Sequence, residues 1–500
     1  MANDSSNVEP LSGASNPDRR WSALALIVTA QFMVILDVAI VNVALPSIKS
    51  DLHFSETNLQ WVISAYAILF GGTLLLGGRL ADLLGRRKLF IAGLAVFAAA
   101  SLLCGLAWSA GSLIAFRGLQ GLGGALLAPA ALSLLMTTFA EGRERNLALG
   151  IYGAASGSGA AAGVLLGGIL TSYLGWSWVF FVNVPVGLVA IALVPALLPE
   201  SRASLAHRHF DFLGAASVTA GLMLLVYATT RAASDGWGAP TTLSFFAGSA
   251  ALIAAFIVIE LRSPSPLLPL RIFRLRTLTA ANAAMAIVGA VAFSQFFLLT
   301  LYLQDVLHYS AVQSGVAFVA FTLAVVSMSN VAQAAVGRFG VRPTLIAGLL
   351  ASAVAVGWLT RLPVHGHYFW DLFPAFVLGG AGMGFSFVPV TIASLTGVER
   401  SEAGVASGLI NTSRQIGGAI GIAAVSAIAA TSTSHYVQDH AGVNASSGVA
   451  LDHGLQTGLY MLAGLPLLGV LIVLALVRPS RPARPDAVPV EGEMGLEEAA

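Results

Sequence analysis

Apolar runs of about 20 residues recur along almost the whole chain, and each is long enough to cross the roughly 30 Å hydrocarbon core of a bilayer. Read between charged or Gly/Pro/Asn-marked breaks, they predict 14 spans, near 22–46, 58–78, 89–108, 112–138, 147–170, 177–198, 212–230, 241–260, 278–303, 312–335, 342–359, 370–394, 403–430 and 456–477. Only 10% of the residues are charged, and 57% are AVILMFWYC. A soluble domain carries roughly a quarter of its residues as Asp, Glu, Lys and Arg, so this chain cannot cover a water-facing surface. The prediction is an all-α polytopic membrane protein. Residues 1–18 are polar and do not read as a cleavable signal. The lone Cys104 cannot close an intrachain disulfide, and no Cys/His cluster points to a metal or cofactor. A net charge of +1 gives no sign of a nucleic-acid partner.

The basic residues set the sides. If the N-terminus is cytoplasmic, 20 of the 25 Lys and Arg fall on the inner side. Only Lys49, Arg231 and Arg361 fall outside, and Arg117 and Arg414 lie within spans. The positive-inside rule then favours an even number of spans with both ends cytoplasmic. Fourteen is the direct reading; twelve would require two runs to be re-entrant or surface segments.

An internal repeat divides the chain. GRRKLFIAGL (85–94) resembles GVRPTLIAGL (340–349), and GLGGALLAP (121–129) lines up with AGMGFSFVP (381–389). In span numbers the shift is eight: six helices, two extra, then six again. Expected units are a tail (1–20), a six-helix bundle (21–198), a linker with spans 7 and 8 (199–276), a second six-helix bundle (277–478) and a Pro/Arg-rich, then acidic tail (479–500). Six-plus-six repeats suit a transporter whose halves rock about a central site. Spans 7 and 8 carry no convincing internal charge and read as lipid-facing spacers, with a tethering or oligomer-contact role as the alternative. The polar stretch 431–455 is long enough for an outer flap.

These motifs give the chain a family likeness. It resembles the major facilitator superfamily, and within it the 14-helix drug:proton antiporters, over nearly all of residues 20–478. LDVAIVNVALP (36–46), GGRLADLLGRRK (77–88), RGLQGLGGA (117–125), GAAAGVLLGG (159–168), WSWVFFVNVPVG (176–187), YLQDVLHYSAVQSG (302–315) and GVASGLINTSRQIGGAIG (404–421) carry it. The resemblance implies a conformational lock at Gly78, Asp82, Gly85, Arg86 and Arg87. It also implies an antiporter helix built on Gly159, Gly163, Gly167 and Gly168. The chain departs from the pattern at Val164, where members carry proline, and at Ser177, where they carry arginine. Gly337 stands where the second half would match Asp82, so the lock is expected on one side only.

Asp37 is the acid that stands out. A charge near mid-membrane is costly, about 2.5 to 3.5 kcal/mol on insertion scales, so it should face the protein interior. At about 1.5 Å per residue it lies roughly 13 Å below the outer end of its span, and Arg117 lies about 9 Å deep, so the two are expected to meet. Burial favours the neutral carboxyl and a nearby cation the charged one, so a group whose surroundings change as the halves rock is a proton site. The competing role is a structural pair holding spans 1 and 4 together. Asp211, Glu260 and Asp305 fall at span ends. Gln31, Phe32, Asn42, Trp61, Tyr66 and Gln120, with Gln295, Phe296, Met383, Phe387, Asn411 and Arg414, are the candidate cavity residues. Aromatics, Met and few acids suit bulky apolar molecules, and Arg414 leaves room for anionic or zwitterionic amphiphiles.

The expected function is proton-coupled antiport, exporting amphipathic or lipophilic compounds from a multi-pass protein of the plasma (inner) membrane that works as a monomer among lipids. Export of an endogenous lipid or metabolite, and a receptor-like or scaffolding role, are the alternatives. No nucleophile–base set is found in the spans, so an enzyme is not expected. No GxxxxGK[ST] loop is present to power transport by ATP hydrolysis.

Overall fold

A computed structural model describes residues 17–139, 143–198, 200, 211–263, 266, 268, 270–398, 403–440, 444 and 447–477. Backbone polar groups in a bilayer must be satisfied within the chain, and the described residues answer this with helices throughout. The fourteen long ones are α1 Pro17–Asp51, α2 Trp61–Leu84, α3 Arg86–Gly105, α4 Ala110–Thr138, α5 Arg143–Tyr173, α6 Asn183–Leu197, α7 Phe212–Asp235, α8 Pro240–Arg262, α9 Arg276–Leu301, α10 Ala311–Phe339, α11 Val341–Leu359, α12 Phe373–Leu395, α13 Ala403–Asp439 and α14 Gly448–Leu476. Among the described residues, twelve helices are long and apolar enough to cross a membrane.

Local chemistry fixes several ends. Ser109 with Ser112 and Ser310 with Gln313 form reciprocal caps on α4 and α10, each satisfying two backbone N–H groups. Gly85 (φ 108°) joins α2 to α3 and Gly340 (φ 88°) joins α10 to α11. Both sit in the left-handed range that glycine enters without strain.

Packing repeats with a shift of eight helices. α2 and α3 pack on α4, and α1 packs on α5 and α6; correspondingly, α10 and α11 pack on α12, and α9 packs on α13 and α14. Individual contacts repeat as well. Gly93 lies against the Leu127 backbone as Gly348 does against Phe385 and Ser386. Arg87 donates to the Leu198 carbonyl (3.3 Å) as Arg342 does to that of Leu474 (2.9 Å).

The end at which α1 starts is termed proximal, and the other distal. At the distal end one apolar core draws on both sets of helices, joining Ile40, Leu45 and Ile48 to Phe297, Leu303 and Phe318. Lys49 pairs there with Asp305 (3.1 Å), and Gln304 donates to the Val43 carbonyl (2.9 Å). Toward the proximal end the cores separate: one is built from α1–α6 and its loops, another from α9 and α11–α14. The two halves thus share one core distally, while toward the proximal end each has its own.

Two expectations are corrected. α7 is no lipid-facing spacer: it packs on both α2 and α13, where Leu222 and Val226 meet Ala67, Ile68, Ala419 and Ala423. Gln60 donates to Thr230 (2.6 Å) at the same seam. Of the two, α8, packed on α7, is the one that is largely exposed. The outer flap is likewise replaced, because α13 runs on to Asp439 and α14 already begins at Gly448. A helix does not stop where its sequence turns polar, and here both project beyond the apolar stretch.

Candidate functional site

Asp37 lies on the face of α1 that carries Met33, Ile40, Val41 and Ala44, all of them buried. Its carboxylate is fully buried and completely engaged. Arg117 on α4 donates from Nη1 to Oδ2 (2.7 Å). Gln120 and Asn183 donate to Oδ1 at 2.7 and 3.0 Å. Gln120 also accepts from Arg117 Nη1 (2.5 Å) and donates to Ser101 Oγ (2.7 Å). The Arg117 Nε donates to the Val62 carbonyl (2.9 Å), and its guanidinium lies 4.5 Å from the Tyr66 ring centre. Both oxygens of Asp37 and the Nε and Nη1 of Arg117 therefore have partners, which is what makes a buried pair tolerable. The glycines of RGLQGLGG explain the fit: Gly121 lies against the Tyr66 backbone and Gly118 against Leu69, so that α4 approaches α2 closely.

All of these partners come from α2, α3, α4 and α6. Asp37 and Arg117 meet as their depths required, but inside the first bundle rather than on a wall between the halves.

The glycines of α5 pack on the same helix. A methyl at Gly159, Gly163 or Gly167 would lie 3.1, 2.8 and 2.8 Å from the carbonyls of Phe32, Leu36 and Ile40. This four-residue stripe clasps the turns of α1 on both sides of Asp37. Gly168 instead faces Ala311 of α10, and the Val164 carbonyl abuts Gly315. The position that carries proline in the resembled motif is therefore a buried contact between the halves.

In the loop motif, Gly77, against the Ala125 carbonyl, makes the close approach expected of Gly78. Gly78 itself is in ordinary contact with Pro129. Arg87 is tied within its own bundle: its backbone N–H donates to Glu200 (3.2 Å), and its guanidinium pairs with that carboxylate at 3.8 Å. Arg86 begins α3 after Gly85; the Asp82 side chain lies outside the described residues.

The cavity candidates disperse. Tyr66 and Gln120 both belong to the buried network, Gln120 through hydrogen bonds and Tyr66 through its ring beneath Arg117. Gln31 accepts from the Tyr152 hydroxyl (2.7 Å), Phe32 packs on Gly159, and Asn42 bonds back to the Val38 carbonyl (2.7 Å). Trp61 joins the α2–α7–α13 seam. Gln295 is buried, and Phe296 packs tilted on Phe318 (4.8 Å) and edge to face with Phe321 (5.1 Å), so both belong to the interior of the second bundle. Met383, Phe387, Asn411 and Arg414 are partly exposed, and the Arg414 guanidinium lies 5.9 Å from the Phe387 ring. A groove of about 540 Å³ between α1 and α6, lined by Leu26, Val189 and Leu193, lies on the outside of the first bundle, away from the network.

Sequence reasoning missed Ser101 and Asn183. An amide inside a span was the available signal for Asn183, the same one used for Gln120. Asp452 was also missed; it is buried in the first turn of α14, where Gln456 donates to one of its oxygens (2.8 Å).

The family model of the Major Facilitator Superfamily matches residues 27–422. The chain belongs to the major facilitator superfamily. This facilitator is 40% identical over 465 residues to the puromycin resistance protein of Streptomyces alboniger, covering 92% of each chain. It is also 40% identical to a cephamycin export protein of Amycolatopsis lactamdurans, covering 83% of this chain and 86% of that one. In fold it is similar to a peptide transporter (TM-score 0.66, 16% identity, 90% and 93% covered). A bacterial homologue of the lysosomal transporter Spinster gives a TM-score of 0.64 at 15% identity, with 93% and 98% covered. The facilitator is a transporter rather than an enzyme, and a multi-pass protein of the inner membrane.

Proposed function

We propose that this facilitator is a proton-coupled antiporter that exports amphipathic or lipophilic small molecules by alternating access. The likeness to antibiotic resistance and export proteins over most of the chain supports efflux. The observation that carries the coupling is Asp37, an acid held in a charge pair inside an apolar bundle and clasped by the helix that meets the other half.

In this reading all fourteen long helices span the membrane, both ends are cytoplasmic, and the proximal end faces the cytoplasm. The distally closed form is then the one that has released its proton inward, with Asp37 charged and paired to Arg117. Opening the distal side moves α5 together with the halves. Because α5 clasps α1 around Asp37, that movement strains the network. A proton from outside then takes the place of the Arg117 bond on the carboxylate. Return to the distally closed form restores the pair, and the proton leaves inward as substrate has gone outward. Asp82, Gly78, Gly85, Arg86 and Arg87 act as the lock between states. One chain holds the complete network and seam, so a monomer suffices.

The test is flux into or out of proteoliposomes under an imposed pH gradient. Asp37→Asn should abolish gradient-driven transport while leaving substrate binding intact. Undiminished gradient-driven flux in that variant would remove Asp37 from the coupling role.

A further inference from the structure

Arg117 and Arg414 both lie inside long apolar helices, but only Arg117 has protein partners. Arg414 makes no hydrogen bond or ion pair with the described residues. Its Nε is enclosed without an acceptor, and its guanidinium lies 5.9 Å from the ring centre of Phe387 on α12. A guanidinium is always charged and presents five donors in a planar fork. Leaving one unpaired in a low-dielectric interior is unfavourable, and proteins keep such groups where an anion will meet them.

The surroundings hold the backbone of this residue firmly and leave its fork free. Gly289, Gly417 and Gly421 bring α9 and α13 into backbone contact, with Gly289 against the Arg414 carbonyl. On the other side Thr412 donates to the Gly71 carbonyl of α2 (2.9 Å), and Gln415 lies against the same glycine. Arg414 is therefore fixed at the seam between the halves. Across that seam, on the same helix as Gly71, stands Tyr66, its ring centre 4.5 Å from the Arg117 guanidinium. The Tyr66 hydroxyl is buried and has no hydrogen-bond partner among the described residues.

We infer that Arg414, with the Tyr66 hydroxyl opposite it, is an anion-binding subsite between the halves that takes the acidic group of an amphipathic substrate, the apolar body lying against Phe387. The fork of Arg414 meets a carboxylate, sulfonate or phosphate with two parallel bonds, and Tyr66 supplies a third donor from the first bundle. An occupied site therefore connects the two halves through the ligand. Tyr66 also touches the Asp37–Arg117 network, so substrate and proton sites share one side chain. The inference rests on the export reading and narrows its substrates to anionic or zwitterionic amphiphiles.

Equilibrium binding without any gradient tests it. The full chain in phosphatidylcholine nanodiscs is titrated with pyrenebutyrate, its methyl ester and pyrenebutylamine, followed by quenching of tryptophan fluorescence. The wild type should bind the carboxylate about tenfold tighter than the ester, the scale of one charge-assisted bidentate contact. Arg414→Gln should remove that preference while leaving ester binding unchanged, and Arg414→Lys should keep part of it. Equal binding of acid and ester by the wild type overturns the subsite even if the Gln variant fails to fold. So does an unaltered acid preference in folded R414Q. If phosphatidylglycerol in the disc competes with pyrenebutyrate in the wild type but not in R414Q, the same subsite accepts a lipid headgroup. Charge-selective binding together with an absence of gradient-driven flux would count against proton-coupled export and leave the subsite standing.

Discussion

The two arginines inside the bundles have opposite situations. Arg117 is buried among Asp37, Gln120, the Val62 carbonyl and the Tyr66 ring, and its Nε and Nη1 are bonded to protein acceptors. Arg414 has one aromatic face and no acceptor. The first bundle thus satisfies its charge internally, as a group that must change protonation in a controlled way requires. The second bundle leaves its charge for something that arrives and departs. On the proposed reading, coupling belongs to the first bundle and recognition to the second, and Tyr66, beneath Arg117, is the side chain common to both.

The comparison can be broken most directly through flux. Asp37→Asn should reduce gradient-driven transport in proteoliposomes to the leak of empty vesicles, whereas Arg414→Gln should still transport neutral substrates. Stability should divide the two arginines next. Arg117→Gln strands the Asp37 carboxylate and should cost about 3–5 kcal/mol, seen as a lowered unfolding midpoint in detergent. Arg414→Gln leaves no partner stranded and should stay within about 1 kcal/mol of the wild type. Equal losses would mean that Arg414 is a structural residue after all.

Glycines sharpen the contrast at smaller scale. In Gly163→Ala the new methyl would sit 2.6 Å from the Ala39 Cβ and 2.8 Å from the Leu36 carbonyl. Overpacking of that kind costs about 1–3 kcal/mol, and it should slow transport by displacing α1 around Asp37. Gly464→Ala in α14 meets nothing within 4 Å, and should stabilise by about 0.5–1 kcal/mol through helix propensity alone. The smallest effect belongs to Arg87→Ala and Arg342→Ala. These remove matching bonds at partly exposed helix ends and should each cost about 0.5–1 kcal/mol. Unequal costs would show that Glu200, the partner of Arg87, contributes more than the shared carbonyl contact.

Much of this was legible in the sequence, for physical reasons. A single acid in an apolar run is conspicuous, and helix rise converts residue number to depth, so the meeting of Asp37 and Arg117 could be foreseen. Depth carries no rotation, which is why Tyr66 and Gln120 read as cavity walls and proved to be parts of the network. Ser101 and Asn183 were hidden because small polar residues are common in spans and declare no partner. Hydropathy marks where a helix leaves the bilayer but not where the helix ends, so α13 and α14 were both drawn short. The place of α7 was illegible because its contacts use Thr230, Leu222 and Val226, side chains that suit lipid and protein equally well.

The position of α7 has a mechanical consequence. It lies along α2 and α13 at once, so one flank of the molecule carries an extra strut joined to both halves. Tilting the halves apart along that flank would drag α7 off one of its two hosts. On the α5–α10 flank the direct contacts lie near Gly168 and Gly315. Rocking must therefore break or slide packed contacts on both flanks, and on the α7 side a third helix has to travel with one half or the other.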